Sequence, residues 1–142
     1  MYFDDIKLDT LIEIDEATIE KDRMLDFAYR YDNVPLHTDE EYAKSTPFKG
    51  LIAPGVMSFM EVWANYLKVD IFGDELIAGK STKIEWLRPV YAGDRLKGVG
   101  RISALTPKSA RSGIVELTID AYNQDGVLVL TSTTEAVVKR KN

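Results

Sequence analysis

The fold of this chain is decided by residues 51–67, whose sequence is LIAPGVMSFMEVWANYL. From Val56 to Lys68 the only polar residues are Ser58, Glu61, Asn65 and Lys68, at spacings of three, four and three. That spacing predicts a helix with one narrow polar stripe and apolar side chains over the rest of its surface. Such a helix must be surrounded by other parts of the protein, and we expect the stripe to face solvent or a partner.

The second half of the chain has the pattern of a β-sheet that would surround this helix. Strand character is found in residues 82–87, 95–105, 114–122 and 127–138. The last two strands are joined by Asn123-Gln124-Asp125-Gly126, a strong hairpin signal. Sequential strands with short turns favour an antiparallel meander. We therefore predict an α+β fold in which a sheet curls around one helix.

The first half is expected to be mainly helical. Residues 10–15 alternate as a short strand does, and Thr18 is predicted to cap the helix that follows. One apolar face of that helix is formed by Met24, Phe27, Ala28 and Tyr31. Thr38 and Glu41 have the spacing of a capping box, which predicts a short helix over residues 39–44 that starts directly after His37.

Composition excludes several classes of function. The 142 residues fit one domain, residues 1–142, and the net charge of −5 disfavours sequence-independent binding to nucleic acid. The absence of cysteine and the single histidine argue against Cys-ligated or multi-histidine metal sites, so no metal is expected. No apolar run is long enough for a membrane span, and no secretory signal is recognisable at the N-terminus. A cytoplasmic location is the default expectation.

The single histidine, His37, is the natural candidate for a proton acceptor near neutral pH. Asp32 lies five residues upstream. On a continuous helix these two side chains would point about 140° apart. Pro35 interrupts the helix and biases Val34 toward extended geometry, so a bent segment can bring the carboxylate and the imidazole together.

Three blocks of sequence resemble one known family. These are Phe27-Ala28-x-x-Tyr31-Asp32-x-x-Pro35-Leu36-His37, Ser45-x-Pro47-Phe48-x-Gly50-Leu51-Ile52-Ala53-x-Gly55 and Arg88-Pro89-Val90-x-x-Gly93-Asp94. In this order and spacing they are similar to the MaoC-like dehydratases, the (R)-specific enoyl-CoA hydratases. The resemblance spans essentially the whole chain. It implies the hotdog fold, in which a curved antiparallel sheet wraps a long central helix, and a homodimer or an assembly of dimers.

The resemblance also implies a reaction and its residues. Water would add reversibly to a trans-2-enoyl thioester of CoA or acyl-carrier protein, without a cofactor, at a site formed by Asp32 and His37. His37 would act as base toward the water, and Asp32 would orient it and share the proton. The backbone N–H of Gly55 would stabilise the charge on the thioester oxygen, and the flanking Pro54 and Val56 would contact substrate.

Departures from the family pattern leave the substrate and two other functions open. Arg30 and Tyr31 precede the aspartate where many members have Ser-Gly, Val34 replaces an asparagine, and Pro54 replaces a histidine or serine. Arg30 is expected on the exposed face of its helix. A non-catalytic acyl-thioester binding or assembly subunit and a hotdog acyl-CoA thioesterase are therefore alternatives. The candidate cations for the CoA phosphates are Lys44, Lys49, Arg88 and Arg95, among which the sequence does not choose.

Overall fold

A computed structural model describes residues 1–142 and contains four α-helices and six β-strands. The helices are α1 (Lys21–Tyr31), α2 (Pro35–Thr38), α3 (Glu40–Lys44) and α4 (Gly55–Leu67). The strands are β1 (Leu11–Glu13), β2 (Ala17–Thr18), β3 (Leu76–Trp86), β4 (Arg95–Pro107), β5 (Ser112–Tyr122) and β6 (Leu128–Lys139). None of the helices combines the length and the apolar character that crossing a membrane requires.

The strands form a curved antiparallel sheet in the order β1-β4-β5-β6-β3, with β2 paired to β4. The predicted meander is correct for β4, β5 and β6, which pair as sequence neighbours. It is wrong for β3, which pairs with β6 at the far edge. Residues 87–94, which we call the crossover segment, must therefore pass from one side of the sheet to the other. The sequence predicts a turn there, but a turn signal does not specify which strands it joins.

Helix α4 packs against the inner side of this sheet, as the apolar pattern predicts. Its buried residues include Met57, Phe59, Val62 and Tyr66. The approach to β4 is close enough to require glycine, because a Cβ on Gly98 would lie 2.8 Å from Cγ1 of Val62. This arrangement is the hotdog architecture that the sequence predicts.

Two local predictions in the first half are wrong. Thr18 does not cap α1: it belongs to β2, and the helix begins after Glu20, whose side chain makes no capping bond. Thr38 does not cap α3 either, because Asp39 takes that position and its side chain accepts from the N–H of Tyr42 at 3.1 Å. The error at Thr38 arises because the adjacent Asp39 is also suited to capping, whereas α1 begins at Lys21 without any side-chain cap.

Strand β3 begins six residues earlier than predicted. Its register shifts between Leu76 and Ala78 and again between Gly79 and Ser81. These irregularities break the alternation that identifies a strand in sequence. Nearly all of β3 is exposed, since it forms the edge of the sheet.

Candidate active site

His37 is positioned by a helix of only four residues. Pro35 occupies its first turn, where a missing N–H is tolerated, and Val34 before it is extended (φ −120°, ψ 150°). The sequence predicts a bent loop at this point, and the structure has the bend followed by α2. Asp32 lies just beyond the end of α1. The chain changes direction between α1 and α2, and this bend brings the side chains of Asp32 and His37 close together in space.

The structure brings the two predicted groups together. Nε2 of His37 lies 3.3 Å from Oδ2 of Asp32. The imidazole is buried, whereas 44% of the Asp32 side chain remains exposed. The pair therefore has one protected member and one member open to the surroundings.

The other imidazole nitrogen is held by the backbone. Nδ1 of His37 lies 2.7 Å from the carbonyl oxygen of Ile52. Because a carbonyl only accepts, this contact requires the proton on Nδ1 and leaves a lone pair on Nε2 of the neutral ring. An ionised Asp32 also only accepts, so two acceptors face each other at 3.3 Å. A molecule with two O–H groups, such as water, is suited to donate to both.

The backbone around Ile52 is fixed by the crossover segment. Ile52 forms an isolated antiparallel bridge with Tyr91, and the N–H of Ala53 donates to the carbonyl of Val90 at 2.7 Å. The Tyr91 hydroxyl donates to the carbonyl of Phe48 at 2.8 Å. The crossover segment thus positions the Ile52 carbonyl, which in turn orients His37.

Asp32 and His37 line a cavity of about 410 Å³. Its other walls come from the start of α4, the end of β3, the crossover segment and the residues Phe48, Ile52 and Ala53. Of the three other residues predicted for substrate binding, Gly55 and Val56 line this cavity. Pro54 does not: it is fully buried behind the first turn of α4, where its carbonyl accepts from the N–H of Ser58.

Gly55 begins α4 directly against the edge of the sheet. A Cβ at this position would lie 2.4 Å from two ring atoms of Trp86, so only glycine fits without moving the indole. The first N–H groups of a helix have no partner within it, and Pro54 has no side-chain acceptor to cap them. The start of α4 therefore offers N–H donors and a positive helix end beside the cavity.

One lining residue was misplaced by sequence analysis. Ser58 belongs to the predicted polar stripe, but it is only 1% exposed and its hydroxyl contacts no hydrogen-bonding protein group. The exposed face of α4 is instead apolar and includes Val56, Met60 and Leu67. The available signal was the spacing: Ser58 lies three residues after Gly55 and so shares its helix face.

The basic residues suggested for CoA phosphates are in different environments. Arg88 lines the cavity and its guanidinium donates only to the neighbouring carbonyl of Leu87, at 3.1 Å. Lys44 and Arg95 lie near carboxylates on the surface. Arg30 is exposed as expected, with its guanidinium 5.9 Å from the ring centroid of Tyr31.

Comparison with known proteins agrees with this architecture. The family model described as the MaoC like domain matches residues 7–121. The monoamine oxidase regulatory protein of Archaeoglobus fulgidus is 30% identical with a TM-score of 0.95, covering 100% of this chain and 96% of that one. A MaoC-like dehydratase from Rhodospirillum rubrum is 28% identical with a TM-score of 0.85, covering 100% and 99%. An (R)-hydratase from A. caviae involved in PHA biosynthesis is 25% identical with a TM-score of 0.74, covering 96% and 98%.

Proposed function

Because this chain belongs to the MaoC-like domain family, we propose that it reversibly adds water to a trans-2-enoyl thioester to give a (3R)-hydroxyacyl thioester. The family and its (R)-hydratase relatives support a hydratase or dehydratase in general terms. The observation that carries the specific reaction is the contact of 3.3 Å between His37 and Asp32, with Nδ1 engaged by Ile52.

This geometry suits the activation of one water molecule. The water donates one hydrogen to Nε2 of His37 and the other to the Asp32 carboxylate. Its oxygen then presents a lone pair to C3 of the substrate. Holding the nucleophile and the substrate in this orientation lowers the barrier to the reaction.

In the hydration direction, the oxygen–C3 bond forms as Nε2 of His37 takes a proton from the water. The π electrons of the C2–C3 bond move toward C2 and the thioester oxygen. The pair then returns a proton to C2, so the substrate has gained H and OH and the protein is unchanged. Asp32 holds the hydrogen that stays on the oxygen and shares the transferred proton, because coupled groups act as a pair.

Negative charge on the thioester oxygen requires fixed donors. The N–H of Gly55 lies at the positive end of the thirteen-residue helix α4 and beside the cavity. Gly55 also lets a substrate approach the backbone closely, since it has no side chain. We assign it the role of oxyanion donor.

We further propose that the protein is a homodimer and takes acyl-CoA or acyl-carrier-protein thioesters. The concave side of the sheet edge is uncovered: Trp86 is 51% exposed although it pairs with the fully buried Leu130. Val56 and Met60 extend this apolar surface on α4, and the edge strand β3 has unpaired backbone groups. A second copy would cover these groups and the open side of Asp32.

The reaction is tested by following the loss of enoyl-thioester absorbance with crotonyl-CoA and longer enoyl-CoA substrates. Asp32→Asn and His37→Ala are each expected to lower kcat by about 10²- to 10⁴-fold, because each removes a proton-transfer group. Circular dichroism and thermal unfolding verify that both variants are folded. Asp26→Asn is the matched control, since Asp26 is an exposed aspartate on α1, the helix that ends just before Asp32.

The outcomes separate the alternatives. Activity of wild type and control with loss in both variants supports the proposal. Equal inactivity of wild type and variants across the panel overturns it, and binding of CoA esters without turnover then indicates a binding subunit. Release of free thiol by wild type indicates a thioesterase.

The dimer is tested separately by sedimentation velocity. We expect a species of twice the chain mass of 16.0 kDa. Met60→Lys is expected to give monomers, because it places a charge on the apolar face of α4. Val127→Lys is the control, since Val127 is also an exposed apolar residue but lies in the turn between β5 and β6.

A further inference from the structure

The hydroxyl of Ser58 has no hydrogen-bond partner in the protein, although Ser58 is one of the least exposed residues of α4. It lines the same cavity as Asp32 and His37. Buried polar groups are almost always paired, so an exception beside a catalytic pair requires a reason.

A serine within a helix normally satisfies its hydroxyl by donating to the carbonyl four residues earlier. For Ser58 that carbonyl belongs to Pro54, and it accepts only the backbone N–H of Ser58, at 3.1 Å. The hydroxyl therefore makes no hydrogen bond to its own helix backbone. Since Cα–Cβ bonds tilt toward the N-terminus of a helix, it lies over the turn that begins at Gly55.

We propose that the Ser58 hydroxyl donates a hydrogen bond to the thioester carbonyl oxygen of the substrate, as a second donor beside the N–H of Gly55. This inference rests on the proposed function. A carbonyl oxygen has two lone pairs, and Gly55 satisfies one of them. The bond strengthens as charge collects on that oxygen in the transition state.

The reacting water is the less suitable partner for this hydroxyl. Its two hydrogens are directed to Nε2 of His37 and to Asp32, so only its lone pairs remain available. A donor on those lone pairs would oppose attack on C3. The thioester oxygen gains negative charge during the reaction, whereas the water oxygen must give up electrons to C3. A hydrogen-bond donor therefore suits the carbonyl, and we assign the Ser58 hydroxyl to it.

The chain contains a matched control for this proposal. Ser132 on β6 is also buried, at 2% exposure, and its hydroxyl is also unpaired, but it does not line the cavity. Ser58→Ala is expected to lower kcat on the order of 100-fold, the usual effect of losing one oxyanion donor, with little change in KM. Ser132→Ala is expected to leave both constants unchanged. Both variants are expected to unfold at higher temperature than wild type, because each removes a buried unpaired hydroxyl.

A second measurement does not require turnover. The infrared carbonyl band of butyryl-CoA labelled with ¹³C at the thioester carbon reports hydrogen bonding in the bound state. We expect this band at lower frequency in wild type than in Ser58→Ala, with Ser132→Ala at the wild-type position. Ser58→Thr, which keeps a hydroxyl, is expected to restore the wild-type band and much of kcat.

The two proposals fail in different ways. If the Asp32 and His37 variants are inactive but Ser58→Ala matches wild type in kcat and in carbonyl frequency, only the role of Ser58 is overturned. If wild type is inactive yet its carbonyl band shifts to lower frequency through Ser58, the donor assignment stands and the hydratase reaction falls. A protein that does not bind butyryl-CoA at all overturns the donor assignment as well.

Discussion

At its N-terminal end helix α4 borders the 410 Å³ cavity, where the Ser58 hydroxyl and the first N–H groups of the helix have no partner in the protein. At its C-terminal end Trp63 packs on Tyr66, with ring centroids 4.8 Å apart, and the adjacent cavity is only about 140 Å³. One end of the helix keeps polar groups unsatisfied and the other buries aromatic surface. The first condition is costly for stability and useful for binding, whereas the second is stabilising.

This contrast predicts that substitutions at the first end alter activity more than stability, and that substitutions farther along the helix do the reverse. Gly55→Ala is expected to have the largest effect of those considered next. Its Cβ would displace the indole of Trp86 and move the cavity wall, so kcat/KM should fall on the order of 100-fold. In the Met60→Lys background, where no partner would cover Trp86 and the indole can shift, the free energy of unfolding should change by less than about 1 kcal/mol.

The control for Gly55→Ala is Gly50→Ala. A Cβ on Gly50 meets nothing within 4 Å, so enoyl-CoA kinetics and chemical denaturation should both match wild type. A large loss of stability without loss of activity in Gly55→Ala would contradict the division between the two ends.

The middle of α4 provides a test in the opposite sense. Gly98→Ala should lower the free energy of unfolding by about 1–3 kcal/mol, because its Cβ would overlap Val62. Val62→Ala should cost about 2 kcal/mol by leaving a void. The double variant should be less destabilised than the sum, since the second change makes room for the first.

Urea denaturation measures each of these variants, and activity per folded molecule should stay at the wild-type value throughout. Gly50→Ala is again the control, because a Cβ there meets nothing within 4 Å. Strict additivity in the double variant would show that Gly98 and Val62 do not limit the approach of helix and sheet.

The smallest expected effect concerns the C-terminal end at alkaline pH. Burial raises the pKa of Tyr66 to about 12, from the ordinary value of 10.0. The folded state therefore resists ionisation, so the associated stability is complete below pH 10 and is lost as pH rises toward 12. Near pH 11 wild type should have lost about 1 kcal/mol relative to Tyr66→Phe. Tyr29→Phe, which alters an exposed tyrosine, should follow wild type.

The parts of the fold that could be predicted from the sequence are those in which the residue pattern follows burial. The apolar circumference of α4 and the alternation in β4, β5 and β6 record burial directly, so the helix, the three strands and their hairpin were correctly placed. The place of β3 at the far edge was missed, because short-range turn signals carry no information on strand order. The proximity of Asp32 and His37 was anticipated from Pro35 and from the family resemblance.

Ser58 was missed for a physical reason. A polar residue on an apolar helix is normally exposed, and the pattern was interpreted accordingly. Its burial depends on how α4 packs against the end of β3 and the crossover segment, and the only local signal was its place on the same helix face as Gly55. Pro54 was wrongly predicted to contact substrate because it is next to Gly55 in sequence. In the structure it is fully buried and does not line the cavity.

The crossover segment has two roles, because it lines the cavity and also holds the backbone that orients His37. Leu87, Arg88, Pro89 and Val90 form one wall of the cavity, yet none of them belongs to a strand. Side-chain exchanges at Leu87, Arg88 or Pro89 can reshape the cavity while the pairing of the sheet stays intact. Asp32 and His37 are carried by other elements. Insertions in the segment would nevertheless move Val90 and Tyr91, and with them the Ile52 carbonyl that holds His37.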